Sequence, residues 1–244
     1  MKLKYQAMML TAAVCVTGSA MAIDLGGALG AGVGAAKGLS LSDDDIRKTS
    51  DEACVAYDKQ NKIAAPGSKY AARLAKLTQG LNNEDGINLN FKAYLVSDVN
   101  AFAMANGCVR VFAGLMDKMS DDEIRAVIGH EIGHAKLGHT KAKMKTAILT
   151  RAARQGAAAT GGKAGTVAAS ELGGVAESFV NAQFSQKEES EADVYGYHFM
   201  VKHKYDPNAM VSMLGKLQGK GGLMSSHPSS PDRVAKIQAL IKKG

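Results

Sequence analysis

Residues Ser120 to Leu137 constrain this chain more than any other stretch. Ser120 followed three positions later by Glu123 is a capping box, Asp121 and Asp122 put negative charge at the positive end of a helix, and Ile124, Val127 and Ile128 begin an apolar face. A helix running to about Leu137 is predicted. Inside it lies His130-Glu131-Ile132-Gly133-His134. Positions i and i+4 of a helix stand one turn apart on one face, so both imidazoles reach one metal ion while Glu131 sits beside the coordination position they leave open. That assigns His130 and His134 as ligands of one zinc ion and Glu131 as the general base that takes a proton from an attacking water.

The remaining ligand has to come from elsewhere in the chain. His139 follows His134 by five residues, about 140° round the helix. The run HEIGHAKLGH also departs from the HExxHxxGxxH pattern that recruits a third histidine. His139 therefore reads as a structural or supporting residue. The segment FSQKEESEAD offers Glu188, Glu189 and Glu191. Helical phase separates them: Glu189, Ala192, Asp193, Gly196, Phe199 and Met200 share an inward stripe, Glu188 is the capping partner of Ser185, and Glu191 falls off the stripe as a solvated residue. Glu189 is the expected third ligand, with Asp193 one turn behind it to orient the site by hydrogen bonding. The simpler alternative for the cluster is an exposed acidic helix start.

Around this pair of helices the chain is globular in composition, 46% hydrophobic and 22% charged, which excludes a mainly disordered or collagenous protein. Lys plus Arg number 30 against 23 acidic residues, but no basic run is interleaved with aromatics, and no nucleic-acid partner is expected. Residues 1–22 carry Lys2 and Lys4, a short apolar run and Ala20-Met21-Ala22, the order of a secretory signal peptide. Lipidation would have to use Cys15, where Ala13-Val14 make a poor processing site. Residues 23–41 form a Gly-rich flexible leader, and 42–244 the folded domain. Export leaves Cys54 and Cys108 where disulfides persist; one bridge is the simple expectation and a free buried pair the alternative. Helices are predicted from Ser42, over Ser68 to Leu81, from Ser185 to about Lys204, from Pro207 to about Gln218 and over Asp232 to Lys242, with strands near 87–96 and 107–112. Residues 141–182, Ala- and Gly-rich, are interrupted by Lys141, Lys143, Lys145, Arg151, Arg154 and Lys163. They suit lid helices and exclude a membrane span.

The chain resembles the CAAX prenyl protease and HtpX family of zinc metallopeptidases, gluzincins that combine HExxH with a distant ExxxD, and within it the exported bacterial branch. The resemblance rests on Asn100-Ala101-Phe102-Ala103, Asn106-Gly107, Gly114-Leu115, His130 to His134, Glu189 with Asp193, and His227-Pro228 with Arg233. It implies an α+β fold, mostly helical and single-domain, whose small sheet offers Asn100, Ala101, Phe102 and Ala103 as an edge strand lining the active-site cleft, where an extended substrate pairs by main-chain hydrogen bonds. It implies that His227 approaches the zinc as a fourth ligand and holds the enzyme latent, and that Arg233 orders the site or stabilises the oxyanion. Simpler readings stand beside these: Phe102 as a core residue, Asn100 and Asn106 as turn residues, His227 as part of a surface turn. The expected protein is a periplasmic zinc metalloendopeptidase cutting unfolded or flexible envelope proteins in quality control, in a Gram-negative type cell, in association with the outer membrane or other envelope proteins. The alternative is a periplasmic chaperone or assembly factor with a structural or latent zinc site; the presence of Glu131 favours the enzyme.

Overall fold

A computed structural model of the chain describes residues 41–154, 171–217, 226–228 and 230–243. The signal peptide expected at 1–22 lies outside the described residues, as does the 23–41 leader except for Leu41.

Three capping boxes set the starts of the main helices. In each, the serine side chain accepts the N–H of the acidic residue three positions on, and that carboxylate accepts the serine N–H: Ser42 with Asp45 before α1 (Asp43–Gln60), Ser120 with Glu123 before α4 (Asp121–Lys136), and Ser185 with Glu188 before α7 (Gln186–Lys202). Between α1 and α4 come α2 (Lys69–Leu77), a hairpin of β1 (Asn83–Glu84) and β2 (Ile87–Asn88), then β3 (Asn90–Tyr94), β4 (Ala101–Ala103), β5 (Cys108–Phe112) and the short α3 (Ala113–Lys118). α5 (His139–Arg154) and α6 (Leu172–Asn181) follow α4, and α8 (Asn208–Lys216) and α9 (Pro231–Lys243) complete the described chain.

Two elements differ from the sequence expectation. The helix predicted to reach Leu81 stops at Leu77, because Thr78 caps it and Gly80 turns the chain with φ 83°. The single strand expected over 87–96 is two strands with different partners. Residues 87–88 fold back on 83–84 through an Asp85-Gly86 turn, and from Asn90 the chain pairs instead with β5.

The main sheet has the order β3-β5-β4, with β3 parallel and β4 antiparallel to β5. Its side chains alternate between two apolar cores. Ala93, Ala101 and Val111 face the core built with Leu74, Leu115, Ile124, Ile128, Phe199 and Met210; Tyr94, Phe102 and Phe112 face the one built with Ala53, Met144, Ile148 and Phe179. Phe102 thus lies in the core, edge-on to Tyr57, Tyr94, Phe112 and Phe179. Cys54 and Cys108 form a disulfide that ties α1 to β5.

Glycines explain how closely α4 and α7 approach. A methyl group at Gly129 would stand 2.5 Å from the Phe199 ring, and one at Gly133 would stand 3.0 Å from Tyr195 Cβ. A glycine inside a helix costs about 1 kcal/mol relative to alanine. That cost is offset here by burial of the facing surfaces, which brings Glu189 and Asp193 of α7 against His130 and His134 of α4.

Candidate metal centre and active site

The capped start of α4 places His130, Glu131 and His134 about two and a half to three and a half turns further along its buried side, and the capped start of α7 places Glu189 in its first turn and Asp193 in its second. The segment before α9 adds His227, ninety-seven residues from His130. His130 Nε2 stands 3.0 Å from His134 Nε2 and 3.2 Å from His227 Nδ1, and Glu189 Oε1 stands 3.3 Å from His134 Nε2 and 2.9 Å from His227 Nδ1. Four donor atoms at zinc–nitrogen and zinc–oxygen lengths round a tetrahedral ion are about 3.3 Å apart. The cluster His130, His134, Glu189 and His227 therefore fits a metal ion in both donor type and spacing. Its lone pairs converge on one another, an arrangement that a shared cation resolves.

Each donor is positioned from behind. Asp193 Oδ1 lies 3.0 Å from His130 Nδ1, and Arg233 clamps Asp193 through Nε at 2.6 Å and Nη2 at 2.8 Å. Arg233 Nη1 is 2.7 Å from Glu189 Oε2 and donates to the Pro228 carbonyl at 2.9 Å, so this one guanidinium ties the α7 carboxylates to the His227 segment. His134 is held on one ring face by Phe184, stacked 3.7 Å between centroids, and at its Nδ1 by His139 Nδ1 at 3.0 Å.

Glu131 shares its oxygens between two elements. Its Oε2 accepts the Ala103 N–H of β4 at 3.2 Å, and its Oε1 lies 3.4 Å from His227 Nε2 without a hydrogen bond. Residues 100, 102 and 104 turn their main-chain groups toward β5, leaving those of Ala101 and Ala103 on the free edge of the sheet. The Ala101 N–H is taken by its neighbour Asn100 Oδ1 at 2.9 Å. Asn106 is a turn residue whose Oδ1 accepts the Cys108 N–H.

Burial governs the electrostatics, since none of His130, Glu131, His134, Glu189, Asp193, His227 and Arg233 is more than 5% exposed. It pushes the Glu131 carboxyl up to about 7, against the downward pull of His130 and Lys143. Burial also holds the His134 and His227 imidazoles well below the usual histidine range. For His130 the same desolvation is outweighed by Asp193 and Glu189, and its pKa is raised. Asp193 is held at about 2, since Arg233 and His130 overcome its desolvation.

Three participants escape a reading of the sequence. Phe184 stacks on His134; its signal was an apolar residue just before the Ser185 cap, which reads only as a staple. Lys143 of α5 projects inward, its Nζ 3.8 Å from the Phe184 centroid and 4.9 Å from that of Phe179, and burial lowers its pKa to about 8. Glu191, expected to be solvated, is half-exposed and lies 3.2 Å from His139 Nε2.

A buried HExxH helix, a carboxylate from a following helix and a sheet edge bonded to the glutamate between the histidines define a metallopeptidase. The profile of peptidase family M48 matches residues 68–241, and the chain belongs to that family. It is 41% identical to metalloprotease LoiP of Escherichia coli strain K12 over 244 residues, 98% of this chain and 96% of that protein. It is 40% identical to metalloprotease YcaL of the same organism over 242 residues, 96% of this chain and 95% of that protein. A β-barrel assembly-enhancing protease of Yersinia pestis is 28% identical over 219 residues, 80% of this chain and 42% of that protein. The chain is a metalloprotease of mostly helical α+β build. No helix of the described residues is long and apolar enough to cross a membrane.

Proposed function

We propose that the chain is an exported zinc endopeptidase that hydrolyses unfolded or flexible segments of cell-envelope proteins in quality control, and that in the arrangement described it is latent. Four metal-type donors converge at 2.9 to 3.3 Å beside a buried glutamate with one unbonded oxygen, and this observation carries the reading.

His130, His134 and Glu189 would hold the zinc, which when bound acidifies water and polarises a carbonyl. Glu131 takes the proton of the attacking water and delivers it to the leaving amine; a carboxyl held near neutrality by burial suits both transfers. Asp193 fixes the His130 ring. Arg233 is read as ordering the site rather than as an oxyanion donor, because its nitrogens are engaged by Asp193, Glu189 and Pro228. The edge of β4 would pair with an extended substrate, which requires the Ala103 N–H to leave Glu131. Recognition through main-chain groups favours flexible segments over a narrow sequence. His227 occupies the space beside both Glu131 and the donor cluster, where water and substrate would stand, and withdrawing it would open the site.

The test compares zinc-loaded wild type, Glu131→Gln and His227→Ala on an unfolded protein substrate. Glu131→Gln should retain zinc and lose activity by a factor of about 10²–10⁴, and His227→Ala should cut faster than wild type. Full activity in Glu131→Gln would overturn the assignment of the base. Unchanged activity and zinc coordination in His227→Ala would overturn the latch.

A further inference from the structure

His134 and His130 are matched ligands in the motif, yet the atoms behind them differ. Behind His130 stands the buried carboxylate of Asp193; behind His134 stands a neutral-type partner, His139, and behind that Glu191 at the surface. The distances form one continuous line: His134 Nδ1 to His139 Nδ1 is 3.0 Å, and His139 Nε2 to Glu191 Oε2 is 3.2 Å. Glu191 is 43% exposed in its side chain, with Lys187 Nζ 3.8 Å from its other oxygen, so the line runs from the buried centre to solvent.

With one proton on each imidazole, a single arrangement satisfies every link. A carboxylate accepts, so His139 carries its proton on Nε2 and donates to Glu191. Its Nδ1 is then an acceptor, and the His134 proton sits on Nδ1 and points at it. That leaves the lone pair of His134 Nε2 free on the side of the donor cluster, as a metal ligand requires. Were His139 turned or protonated on Nδ1, His134 would carry its proton on Nε2 and point it into the centre. Local structure holds His139 in place: Gly138, at φ 82°, ends the first helix so that His139 opens the next, with its ring 5.2 Å from that of His134. Phe184 fixes the face of the His134 ring, and His139 fixes its edge.

We propose that Glu191 and His139 form a positioning relay that selects the tautomer and orientation of His134 and thereby tunes metal affinity from the surface. It rests on His134 being a metal ligand. His139 and Glu191 touch neither metal nor substrate; they act through His134 alone.

The test measures zinc affinity of the full chain by competition with a chromophoric chelator, with circular dichroism to confirm folding. His139→Leu should weaken zinc binding about 10–100-fold. His139→Asn should recover most of that loss, because its Oδ1 stands as far from Cβ as the histidine Nδ1 and accepts the same proton. Glu191→Leu should weaken binding about threefold, and the double variant His139→Leu with Glu191→Leu should bind no more weakly than His139→Leu alone. The relay is wrong if His139→Leu binds within twofold of wild type, if Asn gives no recovery, or if the two losses multiply. Should His139→Leu not fold, Glu191→Leu at its half-exposed position decides the matter: an unchanged affinity overturns the relay. His134→Leu separates this from the ligand assignment. Zinc lost there but kept in His139→Leu defeats the relay alone, whereas zinc kept in His134→Leu defeats the ligand reading itself.

Discussion

Arg110 and Arg233 are both buried guanidinium groups held by carboxylates, one beside the disulfide and one beside the metal-type donors, and their surroundings differ in one respect. Arg110 donates to Asp58 through Nε at 2.7 Å and Nη2 at 3.0 Å, and to the carbonyls of Asn90 and Val109 through Nη1. Asp58 in turn accepts from Tyr94 at 2.6 Å and from Lys92 at 2.7 Å, so both its oxygens are satisfied. Around Arg233 the count does not close. Glu131 Oε1 lacks a hydrogen bond, and three imidazoles present ring nitrogens to one another. A buried polar network completed from within serves as scaffold, whereas one left incomplete is shaped for something that arrives from outside.

The largest expected break in this contrast is Arg110→Met. Removing one partner of a completed buried pair leaves the Asp58 carboxylate stranded, and chemical denaturation should show a loss of about 3–5 kcal/mol, partly recovered by Asp58→Asn in the same chain. A loss below about 1 kcal/mol would mean that the network is not completed from within.

At the other cluster a removal should stabilise. Burial raises the folded pKa of Glu131 to about 7, whereas in the unfolded chain it ionises near 4.3, so the penalty for charging it is absent below the unfolded value and complete above about 7. Metal-free Glu131→Gln should therefore exceed metal-free wild type by roughly 3–4 kcal/mol at pH 8, with the gap shrinking as pH falls toward 4. A gap independent of pH would show that the carboxylate is not the source.

The smallest effect sharpens the scaffold side. Burial would raise Asp58, but Arg110, Lys92 and Tyr94 hold it at about 2. Its contribution is present above the unfolded value near 4 and is lost as pH falls toward about 2, amounting to roughly 2 kcal/mol. Asp58→Asn should flatten that part of the stability curve, as urea titrations between pH 5 and pH 2 would reveal.

Legibility in the sequence followed how local each signal was. The three capping boxes and the i, i+4 histidines lie within single helices, and the expected starts of α1, α4 and α7 match those observed. Phase along one helix also separated Glu189, inward, from Glu188, which caps. The misses are tertiary. Glu191 falls off the inward stripe of α7, and only the turn at Gly138 brings His139 within its reach. Lys143 reads in the sequence only as an interruption of an Ala- and Gly-rich stretch, yet its long stem carries the amine over Phe179 and Phe184. The split of the 87–96 strand escapes because alternation marks a strand without naming its partner.

The sequence by itself determined the chemistry on offer: two imidazoles and a carboxylate at the spacing of one helix, and a second acidic helix with one carboxylate in phase. It did so because the period of 3.6 residues is a property of the backbone and needs no neighbours. Only the tertiary structure decided that the two helices meet at glycines, that Ala103 lends its N–H to Glu131, and that His227 arrives from ninety-seven residues away. Those contacts depend on which surfaces are buried together, a property of the whole packed chain that no single stretch encodes.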